Sequence, residues 1–268
     1  MNLKLSDNAR RIIKIIVITI VILALFILVM SEIDRNRSRR VPVSPKMYYD
    51  NGNWITAPFN VLTSLSVKRQ SDLNPFPSME RNFPRHHLIQ EHWQTIRDEV
   101  LNIYDKGDMK RIDGDLFFRR IADTKWKRFY IKWYGPSLED ARRKLPFTTK
   151  LIDSFPEIQS AMISVLEPGS RITPHTGPWN GVLRYHLGLS VPSDSKNCWI
   201  KLDGIKYSWS NGEDVLFDDT FVHEVHNNTK ETRFILFCDV KREFRNDAAN
   251  LLNDLACRIA KVTTRNNK

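Results

Sequence analysis

Two histidines, His175 and His223, stand 48 residues apart within segment 163–242, each in a strand-rich context, and Arg233 follows the second by ten. Neutral imidazole is a good ligand for Fe(II), and a mononuclear non-haem centre keeps coordination positions open for a bidentate oxo-acid and O₂. A guanidinium forks onto a carboxylate through two parallel N–H···O bonds, so one arginine near such a metal fixes the far end of a dicarboxylate. Arg233 adjoins the apolar run Phe234-Ile235-Leu236-Phe237, where an unpaired buried charge is costly, so an acidic group is expected to meet it. Singly, each residue also has a plainer reading. His175, after Pro174, suits a loop or strand histidine; His223 and His226 suit strand ends; Arg184 could pair with Asp203 or Glu213. Flanked by Leu183 and Tyr185 in a strand, Arg184 should point opposite to them, into whatever the strand encloses.

Four stretches then carry a resemblance: Ser164-Val165-Leu166-Glu167-Pro168-Gly169-Ser170, Pro174-His175-Thr176-Gly177-Pro178, Leu183-Arg184-Tyr185-His186-Leu187-Gly188-Leu189 and Phe217-Asp218-Asp219-Thr220-Phe221-Val222-His223-Glu224-Val225. Together they resemble the aspartyl/asparaginyl β-hydroxylase family over about residues 126–242, while the N-terminal third matches no motif of it. The resemblance implies a mainly β fold, a double-stranded β-helix (jelly-roll, cupin-like), with Fe(II) as cofactor and 2-oxoglutarate as co-substrate. It places metal binding on His175 and His223, and 2-oxoglutarate contacts on Ser164, Arg184, His186 and Arg233. It implies hydroxylation of an unactivated C–H bond coupled to oxidative decarboxylation of 2-oxoglutarate, first at the β-carbon of Asp or Asn in a protein substrate. The family also includes enzymes that hydroxylate a lipid acyl chain, which keeps a lipid substrate open. A non-catalytic barrel that only binds is the reading of a different class, and the intact His175, His223, Arg184 and Arg233 argue against it.

Many 2-oxoglutarate oxygenases add a carboxylate two residues after the first histidine. This chain has Gly177 there, and glycine is what the resembled family has at that position. Water would fill the third site, and Asp219, four residues before His223, is the expected acceptor for it.

The chain must position these residues with 268 amino acids, enough for one sizeable catalytic domain and additions to it. Hydrophobic and charged shares of 41% and 27% belong to a folded protein. Three scattered cysteines, Cys198, Cys238 and Cys257, exclude a disulfide scaffold or a zinc site and read as buried apolar residues. A formal net charge of +10, with Lys125, Lys127, Arg128, Arg142, Arg143 and Lys144 grouped, suggests a surface for anionic lipid or acidic peptide; no nucleic-acid motif accompanies it.

Residues 12–30 are apolar apart from Lys14 and Thr19 and, as a helix, would span roughly 28 Å. They read as a single transmembrane anchor following a short tail, 1–11. A cleaved signal peptide is disfavoured, because the run is long and Val29-Met30-Ser31-Glu32 lacks a small-x-small site. Basic residues tie across the span, and the resemblance tips the expectation to a type II protein with a lumenal catalytic domain. Sequons stand at Asn36 and Asn227. Segment 31–84, rich in arginine and punctuated by Pro75 and Pro77, reads as a stalk of partial order. The catalytic domain is placed at 85–245. It is expected to open with an amphipathic helix over 86–104, then a strand over 126–134, a short helix N-capped by Ser137, and another over 148–154. Core strands would run over 161–240, with turns at Pro168-Gly169, Asp203-Gly204 and Asn211-Gly212. A closing helix over 246–268, with Ala248, Leu251, Leu252, Leu255, Ile259 and Val262 as its stripe, is expected to face the core.

Overall fold

The computed structural model describes residues 7–37, 39–69, 72–111 and 126–262. The long apolar run forms α1 (Asp7–Arg35), and the next segment gives α2 (Pro45–Asp50), where Ser44 Oγ accepts from Met47 N, and α3 (Asn53–Ser64). Three further helices follow, α4 (Met79–Asn82), α5 (His87–Gln90) and α6 (Trp93–Asp105), then β1 (Lys110–Arg111) and β2 (Trp126–Trp133). Two short helices, α7 (Glu139–Lys144) and α8 (Pro146–Asp153), lead into the strands β3 (Ile158–Leu166), β4 (Ser170–His175), β5 (Val182–Ser190), β6 (Cys198–Leu202), β7 (Ile205–Ser208), β8 (Asp214–Phe217), β9 (His223–Asn227) and β10 (Arg233–Lys241). Helix α9 (Asp247–Val262) follows the last strand.

All pairings are antiparallel. One sheet has the order β1-β2-β3-β10-β5-β8 and the other β4-β9-β6-β7, which is the double-stranded β-helix expected. Period-two alternation divides the larger sheet's side chains between two cores. Ile163 and Val165 of β3, Leu183, Tyr185 and Leu187 of β5, and Phe234, Leu236 and Cys238 of β10 pack outward against Ile96, Val100 and Ile103 of α6 and Ile152 of α8. The other parity faces the smaller sheet, where Met162, Leu166 and Ile235 meet Ile172, Ile200, Leu202 and Val225. Ser164, Arg184, His186 and Arg233 share that inward parity. The tight turns form where expected, with positive φ at Gly169, Asp203, Gly204 and Gly212.

Four expectations change. Segment 31–84, read as a stalk, carries α2 and α3 packed on the barrel. Asn53 Nδ2 donates to the Gly177 carbonyl, Asn60 Nδ2 to the Pro178 carbonyl, and Thr63 Oγ1 to Asn180 Oδ1, so this segment satisfies barrel polar groups instead of spacing the barrel away. The helix expected over 86–104 breaks between α5 and α6, where Gln90 Nε2 donates to the Gly212 carbonyl. Leu138, not Ser137, is the N-cap of α7, because the Ser137 hydroxyl donates to Asp153 Oδ1. Helix α9 turns Ala249, Asn253 and Cys257 inward, with Asn253 Nδ2 donating to the carbonyls of Gly181 and Arg242. The Leu251, Leu255, Ile259 and Val262 stripe expected in the core therefore lies exposed. The cysteines are free and buried, as expected.

Candidate active site

Strands β4 and β9 pair so that His175 stands opposite His223, with ring centroids 4.0 Å apart. His175 Nδ1 lies 2.7 Å from the Thr173 carbonyl, and His223 Nδ1 lies 2.9 Å from the Phe221 carbonyl. A carbonyl only accepts, so both Nδ1 atoms carry the proton and both Nε2 lone pairs are left for a ligand. Burial holds His223 neutral by lowering its pKa to about 4, and burial together with the neighbouring ring lowers His175 well below the ordinary histidine value. Two neutral imidazoles of fixed tautomer are the donor set that suits Fe(II).

The carboxylate of Asp219, expected from the sequence as the acceptor for a water, stands beside this pair. A Cβ at Gly177 would come within 2.1 Å of Asp219 Oδ2, so the Asp219 carboxylate fills the space a side chain at 177 would need. Gly177 N also donates to the Asp219 carbonyl at 2.7 Å, which locks the two loops together. Asp219 Oδ2 accepts from Arg184 Nε at 2.9 Å, whereas its Oδ1 is buried with no partner. Burial pushes the Asp219 carboxyl up from its ordinary range, and Arg184 pulls the other way. Among the described residues no three His, Cys, Asp or Glu side chains converge on one point; the two histidine rings stand side by side, and the Asp219 carboxylate lies against Gly177.

Arg184 does point opposite to Leu183 and Tyr185, but it pairs with neither Asp203 nor Glu213. Its Nη1 meets Asp239 Oδ1, its guanidinium lies 4.8 Å from the Phe237 ring, and Tyr134 donates to Asp239 Oδ2 at 2.9 Å. A chain of Tyr134, Asp239, Arg184 and Asp219 thus braces the site.

Deeper in the barrel, Arg233 is 1% exposed. Its Nη2 donates to Ser164 Oγ at 3.3 Å, its guanidinium lies 4.5 Å from the Trp209 ring, and its Nε has no partner. No carboxylate meets it among the described residues, and burial lowers its pKa to about 10, leaving it cationic at neutral pH. His186, between the rings of Phe217 and Phe237, has neither ring nitrogen bonded, and Trp209 Nε1 is likewise buried without a partner. Burial is the first cause, and Arg233 the second, of a His186 pKa well below the ordinary value. Unsatisfied buried polar groups are rare in folded proteins, and a cluster of them beside an uncompensated cation fits a bound dicarboxylate.

The residues assigned to the site from the sequence, Ser164, His175, Arg184, His186, Asp219, His223 and Arg233, therefore lie around one interior. Trp209, Asp239 and Tyr134 were missed. Asp239 had a signal, because it continues the inward parity of Arg233, Ile235 and Phe237; Trp209 lies just past β7, where no periodicity marks it. His226 has a structural place, stacked on Trp199 at 4.3 Å and paired with Glu224. Asn227 is buried, its amide donating to the carbonyls of Leu166, Glu167 and Glu231, which leaves no room for a glycan. The basic group is largely paired: Lys127 with Glu167, Arg143 with Asp140, Lys144 with Asp108. Lys125 lies outside the described residues. A cleft of about 510 Å³ between α2 and the end of β4 adjoins the site without containing His175 or His223; Lys46, Asp50, Thr173 and Pro174 are among its lining residues.

The sequence profile of aspartyl/asparaginyl beta-hydroxylase matches residues 90–243, more than half of the chain. An ornithine lipid ester-linked acyl 2-hydroxylase from Rhizobium tropici is 37% identical over 190 residues, covering 69% of this chain and 67% of its own length. The aspartyl/asparaginyl beta-hydroxylase of Homo sapiens is 34% identical over 157 residues, 57% of this chain but 20% of the human protein. Human aspartate beta-hydroxylase domain-containing protein 2 is 31% identical over 160 residues, with 57% of this chain and 42% of that protein covered. The chain thus spans a fifth of the human hydroxylase and two thirds of the rhizobial one. On the extent of the profile match, the chain belongs to the aspartyl/asparaginyl beta-hydroxylase family.

Proposed function

We propose that this chain is a membrane-anchored, Fe(II)- and 2-oxoglutarate-dependent hydroxylase. The observation that carries the reading is Arg233, a buried guanidinium with no counter-ion among the described residues, in the same interior as two histidines whose Nδ1 atoms are engaged by backbone carbonyls and whose Nε2 lone pairs remain. Nε2 of His175 and of His223 would hold Fe(II), which together with 2-oxoglutarate supplies the activation of O₂ for C–H hydroxylation.

The chain's own residues do the positioning. Arg233 and the Ser164 hydroxyl grip the distal carboxylate of 2-oxoglutarate, and neutral His186 offers it one N–H donor. Asp219 Oδ1, unsatisfied in the protein, accepts from a water standing where other oxygenases place an acid. Arg184 keeps that carboxylate aimed and charged, and Asp239 keeps Arg184 in place. Helix α1, whose most apolar 18-residue window has a mean hydropathy of 3.3, serves as the anchor.

The family's protein members make the β-carbon of an Asp or Asn side chain one substrate class. A lipid acyl chain is the second, favoured by how the loops beside the histidines are tied. Arg37 Nη2 donates to Thr220 Oγ1 and Arg39 Nη2 to the Thr220 carbonyl, directly after α1, so the site has no slack to reach far from the bilayer. Succinate release from 2-oxoglutarate, measured with the full chain in vesicles, tests the reading. Stimulation by a membrane lipid extract supports the lipid class, and stimulation by Asp- or Asn-containing peptides alone supports the protein class. No turnover with either, from protein that binds Fe(II), counts against the proposal.

A further inference from the structure

Helices α3 and α9 each bury one face and leave an apolar one outward. On α3 and its C-cap Leu65, Asn53, Ala57, Asn60 and Thr63 are buried, while Trp54, Ile55, Leu62 and Leu65 are exposed, Leu65 by 72%. At about 100° per residue the exposed four fall within an arc of about 100°. On α9 the exposed set is Leu251, Leu252, Leu255, Ile259 and Val262, again within an arc of about 100°, with Val262 exposed by 81%. The two helices are joined near the end of α3, where Arg245 N donates to the Ser66 carbonyl, Asn246 Nδ2 donates to Ser66 Oγ, and Arg245 Nη2 donates to the Leu65 carbonyl. Apolar exposure of this extent on neighbouring elements marks a surface that something covers.

Helix α1 says what covers it. From Ile12 to Phe26 it is exposed all round; shielding begins at Ile27 and recurs at Met30, Ser31 and Asp34, the spacing of a single helical face. That face meets α3: Met30 packs into the cluster that includes Ala57, and Asn60 Nδ2 donates to Asp34 Oδ2 at 3.2 Å. Ile27 and Met30 belong to the apolar span itself, so α3 lies alongside its last turn, where acyl chains give way to headgroups. Trp54 on the outer face suits that depth, and beside the α9 stripe exposed Arg258 carries charge suited to anionic headgroups, with Asp247 as the one exposed acid at the same edge.

We propose that α3 and α9 lie in the headgroup boundary of the bilayer that α1 enters, their apolar faces covered by lipid, so that the His175–His223 end of the barrel rests on the membrane surface. The loops on either side of that end are already tied to this platform. Asn53 and Asn60 hold the Gly177 and Pro178 carbonyls, and Arg37 and Arg39 hold Thr220. The inference rests on α1 being a membrane anchor.

Depth measurement on the full chain in phosphatidylcholine/phosphatidylglycerol vesicles tests it. Cys198, Cys238 and Cys257 are buried, so nitroxide labels can be placed selectively at Leu62→Cys, Leu255→Cys and, as the anchor control, Ile22→Cys. The quantity read is relaxation by oxygen, which concentrates in lipid, against relaxation by a water-soluble nickel chelate. Oxygen dominating at all three positions, with the deepest value at Ile22, is the expected result. Oxygen dominating at Ile22 with nickel dominating at Leu62 and Leu255 overturns the inference and leaves the anchor standing. Nickel dominating at Ile22 overturns the anchor and the inference with it. Labels shielded from both agents, with spin–spin broadening that unlabelled chain dilutes away, show a second copy of this chain on the face and also overturn the inference.

Discussion

Replacing Arg233 with methionine pulls apart two effects that a purely structural arginine would join. The guanidinium is 1% exposed, and burial lowers its pKa from 12.5 to about 10. The charged form is penalised at every pH below about 10, so at neutral pH the whole shift acts against folding, about 3 kcal/mol at 1.36 kcal/mol per unit. Methionine removes that cost and also removes the Ser164 hydrogen bond and the Trp209 contact, together about 1–3 kcal/mol. The apo variant should therefore be as stable as the parent, or more stable by up to about 2 kcal/mol, in urea unfolding. Loss of a desolvated fork onto a carboxylate costs about 2–5 kcal/mol, so 2-oxoglutarate affinity, measured by anaerobic calorimetry, should fall roughly 30- to 5,000-fold while Fe(II) affinity stays unchanged. An apo variant destabilised by more than about 3 kcal/mol with 2-oxoglutarate affinity intact would show Arg233 to be structural, and the reasoning would fail.

Other expectations follow from the same geometry. Gly177→Ala puts a methyl onto the Asp219 carboxylate and should destabilise by about 1–3 kcal/mol, most of it recovered in Gly177→Ala/Asp219→Gly; a neutral single variant would refute the close approach. Asp219→Ala should lower Fe(II) affinity or turnover about 10- to 100-fold, and unchanged values for both would remove its role in holding water. Apo stability should drop as pH falls: the folded pKa of His223 is about 4, below the unfolded value near 6.5, so its contribution is full above pH 6.5 and lost toward pH 4 at about 1.4 kcal/mol per unit. His175 and His186 shift in the same direction, and a flat profile between pH 7 and 5 would contradict their burial as neutral rings. Asp34→Ala leaves Arg37 and Tyr48 facing an empty buried site and should cost about 3–5 kcal/mol in thermal unfolding.

The barrel was legible because its strands alternate and its turns are punctuated by Gly169, Gly204 and Gly212, two signals carried within a few residues. The inward polar set was legible for a related reason: Ser164, Arg184, His186 and Arg233 interrupt apolar strands at one parity. Long-range choices left no such trace. Which face α9 presents depends on Asn253 reaching the Gly181 and Arg242 carbonyls, and an amphipathic stripe reads the same whether barrel or lipid covers it. Segment 31–84 looked like a stalk because its ordering groups are asparagines, threonines and arginines that bond to barrel backbone more than 100 residues away. Gly177 showed that an acid was missing, but only the fold revealed the Asp219 carboxylate occupying the vacated space.

The central claim is that His175 and His223 hold iron beside a 2-oxoglutarate gripped by Arg233. Anaerobic titration of the full chain with Fe(II) and 2-oxoglutarate, followed by the metal-to-ligand charge-transfer absorption of the chelate, tests it without knowledge of the substrate. A band that develops with the parent chain and is lost in His175→Ala/His223→Ala is the predicted result. Its absence from folded parent protein, or its survival in the double variant, would contradict the claim.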